Sequence, residues 1–345
     1  MQQPAALRPA AAGVPAQQRS LISLRGVNKS FGKKDAVSDI SLEIQPGEIF
    51  GIVGPSGCGK TTTVRMMTGV YVPDSGEISV LGKEPKRFTS RDRERLGYMP
   101  QLFVLYPNLT VMENLRFAAS TYGISWFGRR QRLESMLDFV ELGDARGTLA
   151  TNISGGMKRR LQLAAALIHN PELLFADEPT AGVDPVLRGR FWERFQSLKE
   201  QGRSLVVTTQ YVSEVAYCDK VAVMRDGELL TVDSPDGLRR QALGGEVISL
   251  RVDPEDSMRA MRLLSRHPLV RDVHRIRNAD PGSLAAYVEN AGAAMPELIQ
   301  ALASDETIDV RNAQEYNPPF DDIFITLMQR ADEERGAAAE ETTNG

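Results

Sequence analysis

The eight residues Gly54-Pro-Ser-Gly-Cys-Gly-Lys-Thr61 constrain this chain more than any other stretch. They match G-x-x-x-x-G-K-[ST], follow the apolar run "GEIFGIV" and lead into the helically spaced "KTTTVRMMTGV". A strand, a glycine loop and a helix N-terminus in that order turn backbone N–H groups toward an anion and add a favourable dipole, which makes a phosphate cradle. Gly54, Gly57 and Gly59 let the backbone turn, Pro55, Ser56 and Cys58 complete the loop, and Thr62 follows it. Lys60 is expected to reach the β and γ phosphates of ATP, and Thr61 to give its hydroxyl to Mg²⁺. The alternative is an ordinary glycine turn before a helix, and both the motif and its flanks argue against it.

Segments around this loop alternate between strand and helix patterns. "LISLRGVNKSF" and "DISLEI" alternate as strands, while "PELLFADEP" and "RSLVVTTQ" are short apolar runs of the kind found in buried parallel strands. Residues from about 102 to 165 carry apolar positions at three- and four-residue steps, the pattern of a helical subdomain. The expected fold is an α/β domain over residues 20–237. A linker is expected at 238–245. Beyond it, residues 246–331 read β-α-β-β-α-β, a small ferredoxin-like α+β domain. Residues 1–19 are read as a disordered leader without signal-peptide character, and 332–345 as a disordered acidic tail.

Composition narrows the partners. A formal charge of -4 over 345 residues gives no basic footprint, so no nucleic acid is expected. Cys58 and Cys218 are the only cysteines, too few for a disulfide framework or a zinc site. No apolar run is long enough to cross a bilayer, so any membrane component must be another polypeptide.

A phosphate loop needs a carboxylate at the end of a neighbouring strand to help hold the metal. "LLFAD" supplies Asp177, Glu178 follows where it could polarise an attacking water, and Asp184 comes shortly after in "AGVD". With Gln101 in "YMPQ" and "ISGGMKRRLQLAAAL" from Ile153, this set resembles the nucleotide-binding subunit of an ABC transporter over about residues 21–237. The resemblance implies a head-to-tail dimer, of like or unlike subunits, sandwiching ATP. In it, Ser154, Gly155 and Gly156 of one protomer face the phosphate loop of the other. It further implies that Gln101 binds water or joins Thr61 and Asp177 at Mg²⁺, that Asp184 couples the two sites, and that Phe31 stacks on adenine. A strand-end core position is the other reading of Phe31.

Gln210 stands where this family usually has a histidine. A glutamine can donate to a phosphate oxygen and accept from water, but it cannot carry a proton. Because Glu178 is retained, an active site with an amide contact to the γ-phosphate is expected; the alternative is an ATP-gated clamp with little turnover. "TTQY" and "PPFDDIFITLM" also resemble the ATPases of daunorubicin-type drug-resistance exporters. That resemblance implies an efflux ATPase on the cytoplasmic face of the cell membrane, docked on an integral membrane permease. "LFVLYPNLT" is a possible groove for the permease, with internal packing as the other account. A soluble ATPase acting on ribosomes or DNA is the competing class, and "WFGRRQR", read as the basic cluster with aromatics nearby, is better explained as a solvated helix start.

Overall fold

In the computed structural model, residues 20–276, 279–305 and 308–343 are described, so the leader expected at 1–19 lies outside the described residues. The chain divides into two units, one ending at Val232 and the other beginning at Asp233. Strands of the first unit are β1 (Ile22–Phe31), β2 (Lys34–Ile44), β3 (Ile49–Val53), β4 (Ser75–Val80), β5 (Leu96–Met99), β6 (Leu173–Asp177), β7 (Ser204–Thr209), β8 (Lys220–Arg225) and β9 (Glu228–Asp233), whose last residue crosses the division. Its helices are α1 (Lys60–Met67), α2 (Ser90–Arg93), α3 (Val111–Thr121), α4 (Trp126–Phe139), α5 (Gly155–Leu167) and α6 (Pro185–Glu200).

The larger sheet has the order β5-β6-β7-β3-β8-β9, with β5, β6, β7, β3 and β8 parallel. Every residue of β3, β6 and β7 is buried. That explains their unbroken apolar character: strands covered on both faces have no solvent side to alternate with. Because the strands are parallel, their carboxyl ends come out together, at the loop after Val53, at Asp177 and at Thr209. The crevice beyond such ends is where α/β sheets bind ligands.

An antiparallel sheet, β2-β1-β4, packs Ile22, Leu24 and Ile44 with Val64, Met66 and Met67 of α1 into one core. Full burial of each such side chain is worth roughly 1.5–3 kcal/mol. Helix α6 anchors Phe191, Trp192 and Phe195, all essentially solvent-free, and the Trp192 ring stacks on Tyr217 at 5.1 Å. Helices α3, α4 and α5 pack on one another in the stretch expected to be helical. A reciprocal cap between Thr110 and Glu113 fixes the start of α3.

The second unit contains α7 (Pro235–Leu243), β10 (Glu246–Val252), α8 (Ser257–Leu264), β11 (Val270–Arg275), β12 (Ser283–Val288), α9 (Ala291–Ala303), β13 (Val310–Glu315) and α10 (Phe320–Thr343). Its sheet has the order β11-β12-β10-β13 with every neighbour antiparallel, which is the ferredoxin-like arrangement. Leu250, Val252, Leu284, Ala286, Leu298 and Leu302 form its core.

Two expectations are corrected here. The stretch read as a linker at 238–245 is largely helix α7, started by Ser234 accepting from the Gly237 N–H and closed by Gly244 in the left-handed conformation. Its Leu238 and Ala242 are buried one turn apart, and Arg239 lies over the Phe320 ring at 4.1 Å, so packing outweighs the glycine-rich look of the segment. The tail read as disordered from 332 continues α10 to Thr343. Alanine and glutamate are strong helix formers, and they extend the helix that Phe320 and Ile323 anchor.

Candidate functional site

At the carboxyl ends of β3, β6 and β7, a cavity of about 370 Å³ is lined by Phe31, Ser56, Lys60, Thr61, Gln101 and Glu178, with Gly57, Gly59 and Thr62 also on its wall. Glycine is required at two points of the loop. Gly59, which caps α1, has φ 103°, and a Cβ there would sit 2.3 Å from the Ala36 carbonyl oxygen; a Cβ on Gly54 would sit 2.2 Å from that of Met224. Lys60 is buried and donates to the carbonyls of Gly54 (2.7 Å) and Pro55 (3.0 Å), with Glu178 Oε1 3.7 Å away. Cys58 is buried, and loss of solvent pushes its thiol pKa up, so it fills space without thiolate chemistry.

Asp177 is held by two hydroxyls. Thr61 Oγ1 donates to its Oδ1 at 3.0 Å, and Thr208 Oγ1 donates to the same oxygen at 2.6 Å. Its Oδ2 is buried without a hydrogen-bond partner, a costly arrangement for a carboxylate unless a cation completes it. Thr61 and Asp177 offer hard oxygen donors that suit Mg²⁺, a metal commonly held by one or two carboxylates together with substrate phosphates. Among the described residues no cluster of three or more His, Cys, Asp or Glu could hold a metal by protein ligands alone.

Glu178 has φ 47°, the left-handed region, and its N–H is secured by Thr208 Oγ1 at 2.9 Å. Such backbone costs about 1–3 kcal/mol in a non-glycine residue and persists where surrounding contacts over-determine it. Gln101 Nε2 donates to Glu178 Oε2 at 2.7 Å, so in this structure the amide expected at the metal contacts the neighbouring carboxylate instead. Helix α5 braces the Gln101 loop: Gln162 Nε2 donates to the Leu102 carbonyl at 2.6 Å and Arg159 Nη1 to that of Pro100 at 3.3 Å. Burial pulls the Arg159 pKa down, and the charges of Glu178 and Asp177 partly offset this.

Gln210 reaches the phosphate loop, where its Oε1 accepts from Ser56 Oγ at 3.0 Å. Four residues on, Glu214 is fully buried and accepts from Thr180 Oγ1 at 2.6 Å, joining the Gln210 segment to the one that leads to Asp184. Arg188 lies 3.5 Å from Glu214 Oε1 and stacks over the Tyr211 ring at 4.0 Å. Asp184 itself is exposed and caps α6 by accepting from the Leu187 N–H at 3.0 Å. Ser154 caps α5 by accepting from the Met157 N–H at 3.2 Å. Neither Asp184 nor Ser154, Gly155 or Gly156 lines the phosphate-loop cavity of its own chain. Phe31 does line it, half exposed, with its ring packed edge-on to Tyr71 at 5.3 Å. In the adjoining loop Leu102, Val104 and Tyr106 are exposed, while Asn114 binds the carbonyls of Tyr106, Leu109 and Thr110 from beneath.

Thr208, Gln162, Asn114 and Glu214 went unnoticed in the sequence. Only the placement of Thr208 one residue before the end of an apolar run, level with Asp177 in the adjoining strand, could have flagged it.

A phosphate loop, a strand-end carboxylate pair and a helix-capping Ser-Gly-Gly on one α/β cassette define a nucleotide-binding ATPase of the ABC type. Residues 37–181 match the family model for "ABC transporter". The linearmycin resistance ATP-binding protein LnrL of Bacillus subtilis is 31% identical over 90% of this chain and 99% of its own length. A Nod factor export ATP-binding protein I of Bradyrhizobium diazoefficiens is 36% identical over 90% of this chain and 96% of its own length. The probable multidrug ABC transporter ATP-binding protein YbhF of Escherichia coli is 38% identical over 68% of this chain, and the match spans 40% of that relative's length. Among solved structures, the cassette MJ0796, a dimer in a post-hydrolysis state with ADP and Pi, is 26% identical, with a TM-score of 0.58 over 62% of this chain and 98% of its own. This chain belongs to the ABC transporter ATP-binding protein family.

Proposed function

We propose that this chain is the ATP-hydrolysing subunit of an ABC exporter for drug-like or lipophilic compounds, acting as a dimer on a separate integral membrane permease at the cytoplasmic face of the membrane. The observation that carries the reading is the convergence of Lys60, Thr61, Asp177, Glu178, Gln101 and Gln210 beyond the parallel strand ends of β3, β5, β6 and β7. Lys60 and the loop N–H groups would hold the β and γ phosphates. Glu178 would accept the proton of the attacking water while Gln101 orients its carboxylate. Gln210, carried toward the loop by its bond to Ser56, would donate an amide N–H to the γ-phosphate. Mg²⁺, held by Thr61 and Asp177 with Gln101 within the same cluster, would neutralise phosphate charge. Phe31 would face the adenine, a half-exposed ring being free to stack. Ser154, Gly155, Gly156 and Asp184 lie outside the cavity of their own chain, which supports a role across a dimer interface. The absence of a membrane-crossing helix among the described residues supports a separate permease, and the exposed Leu102, Val104 and Tyr106 are where it would dock. Of the two relatives matched over nearly their full length, one is named for Nod factor export and the other for linearmycin resistance, which supports an efflux role.

The test is Mg²⁺-dependent ATP turnover of the wild type beside Glu178→Gln, with the tagged chain recovered from detergent-solubilised membranes. Turnover lost in Glu178→Gln together with a co-purifying polytopic protein is the expected result. Wild-type turnover no higher than that of Glu178→Gln, even with the permease present, would leave an ATP-gated clamp; a ribosome in place of a membrane protein would sink the exporter reading.

A further inference from the structure

The nucleotide site makes no use of the start of α4, where the chain presents its two most exposed large apolar side chains among the described residues: Trp126 at 86% and Phe127 at 96%. The helix breaks there. Phe127 is extended (ψ 120°) and Gly128 is left-handed (φ 79°), so the two aromatic rings stand on a knuckle ahead of the regular turns. Arg129 lies 5.8 Å from the centre of the Trp126 ring. Behind the knuckle is a cavity of about 770 Å³ whose wall includes Arg116, Arg129, Arg130 and Arg146. Of the two acids on that wall, Glu113 is engaged by the N-terminal cap of α3, and Glu134 lies 3.6 Å from Arg146. The patch therefore keeps an excess of positive charge on a chain whose net charge is -4.

Protruding aromatics ringed by arginines have the chemistry of a membrane-interface anchor: Trp and Phe enter the headgroup boundary, and the guanidinium groups meet anionic lipid. A solvated helix start, the reading the sequence invites, accounts for the arginines but leaves two bare aromatic rings in water. We infer that the Trp126–Arg130 knuckle with its arginine-lined cavity is a docking surface for the anionic lipid surface of the bilayer, orienting the subunit beside its permease. The inference rests on the reading of this chain as the peripheral subunit of a membrane transporter. Because the chain as a whole is acidic, attraction to an anionic surface has to come from local basic patches, and the two protruding rings give this one an apolar anchor that orients the contact. Each arginine near such a surface strengthens binding by about fivefold, an effect that salt screens.

The chain contains two tryptophans, and Trp192 is already buried, so a change in tryptophan emission on docking reports Trp126. The full chain is mixed with phosphatidylcholine vesicles with and without phosphatidylglycerol, and emission, acrylamide quenching and co-sedimentation are followed. The expected result is a blue shift and protection from quencher with phosphatidylglycerol vesicles only, reversed by salt. Trp126→Ala with Phe127→Ala should weaken co-sedimentation by about tenfold or more, and Arg129→Ala with Arg130→Ala should remove the preference for phosphatidylglycerol. Equal affinity for both vesicle types, or undiminished binding by the aromatic double variant, would overturn the inference. So would tighter binding to RNA than to anionic vesicles, or a Trp126 that stays exposed on vesicles and is covered only in the permease complex. Since none of these residues touches the nucleotide cavity, ATP turnover should stay at the wild-type level in all variants. Failure of vesicle binding with turnover and permease co-purification intact would remove this inference alone.

Discussion

Thr208 is the smallest group on which the nucleotide site depends, since its one hydroxyl donates to Asp177 and accepts from the Glu178 N–H. Replacing it with valine keeps the shape of the side chain and leaves both partners short of a bond. We expect Thr208→Val to lose about 1–3 kcal/mol in urea unfolding and to lower ATP turnover on the order of tenfold, while Thr208→Ser recovers most of both. A valine variant with wild-type turnover would show that the hydroxyl is dispensable. Gln210→Ala removes a side chain aimed at the phosphate loop, and turnover should fall roughly 10- to 100-fold, somewhat less than the loss of a full oxyanion-hole donor in a hydrolase. These two residues also mark how far the sequence could be read. Lys60, Asp177, Glu178 and Gln210 follow a fixed order and spacing, and a resemblance can find them. Thr208 is one threonine in "VVTTQ", and only the pairing of β7 with β6 brings it beside Asp177.

Among the elements, α3, α5 and β5 meet at a residue that no motif points to. His169, just beyond α5, stacks on Tyr122 at the end of α3 with ring centres 3.6 Å apart, and its Nε2 lies 2.9 Å from the Leu96 carbonyl oxygen of β5. Its Nδ1 is buried with no partner, so a second ring proton would have no acceptor, and burial holds the pKa down to about 4. The folded form thus prefers the neutral ring. Its contribution to stability is complete above the ordinary value near 6.5 and is lost as pH falls from there toward 4. We expect the melting temperature to decline over that window, and His169→Gln to flatten part of the decline; parallel curves for the two proteins would show that this histidine is not the group responsible. The other elements differ in how legible they were. Buried β3, β6 and β7 announced themselves as unbroken apolar runs, whereas α7 hid behind three glycines in "DGLRRQALGGE", because the burial of Leu238 and Ala242 that goes with it is a property of the folded chain and not of local composition.

For the whole molecule, the proposed dimer sets the main expectation. Ser154 and Gly155 are exposed and their helix N-terminus is ready to accept an anion. Glu178→Gln in MgATP should therefore double the mass seen by light scattering, and ADP should not; a variant that stays monomeric in ATP would count against the sandwich. The order of sheet and helix in both units was readable from alternation and periodicity, but the helical extent of α7 and α10 was not, since composition cannot tell a solvated tail from a helix that packing has already started. One consequence of the Gln210–Ser56 contact reaches beyond geometry. An imidazole in that place would gain or lose its charge at about pH 6.5 and would make the rate follow it. An amide has no proton to trade there, so the turnover–pH curve should lack a limb near pH 6.5, and Gln210→His should introduce one. The hydrolysis rate would then hold steady around that pH, where a histidine in the same place would make it rise or fall.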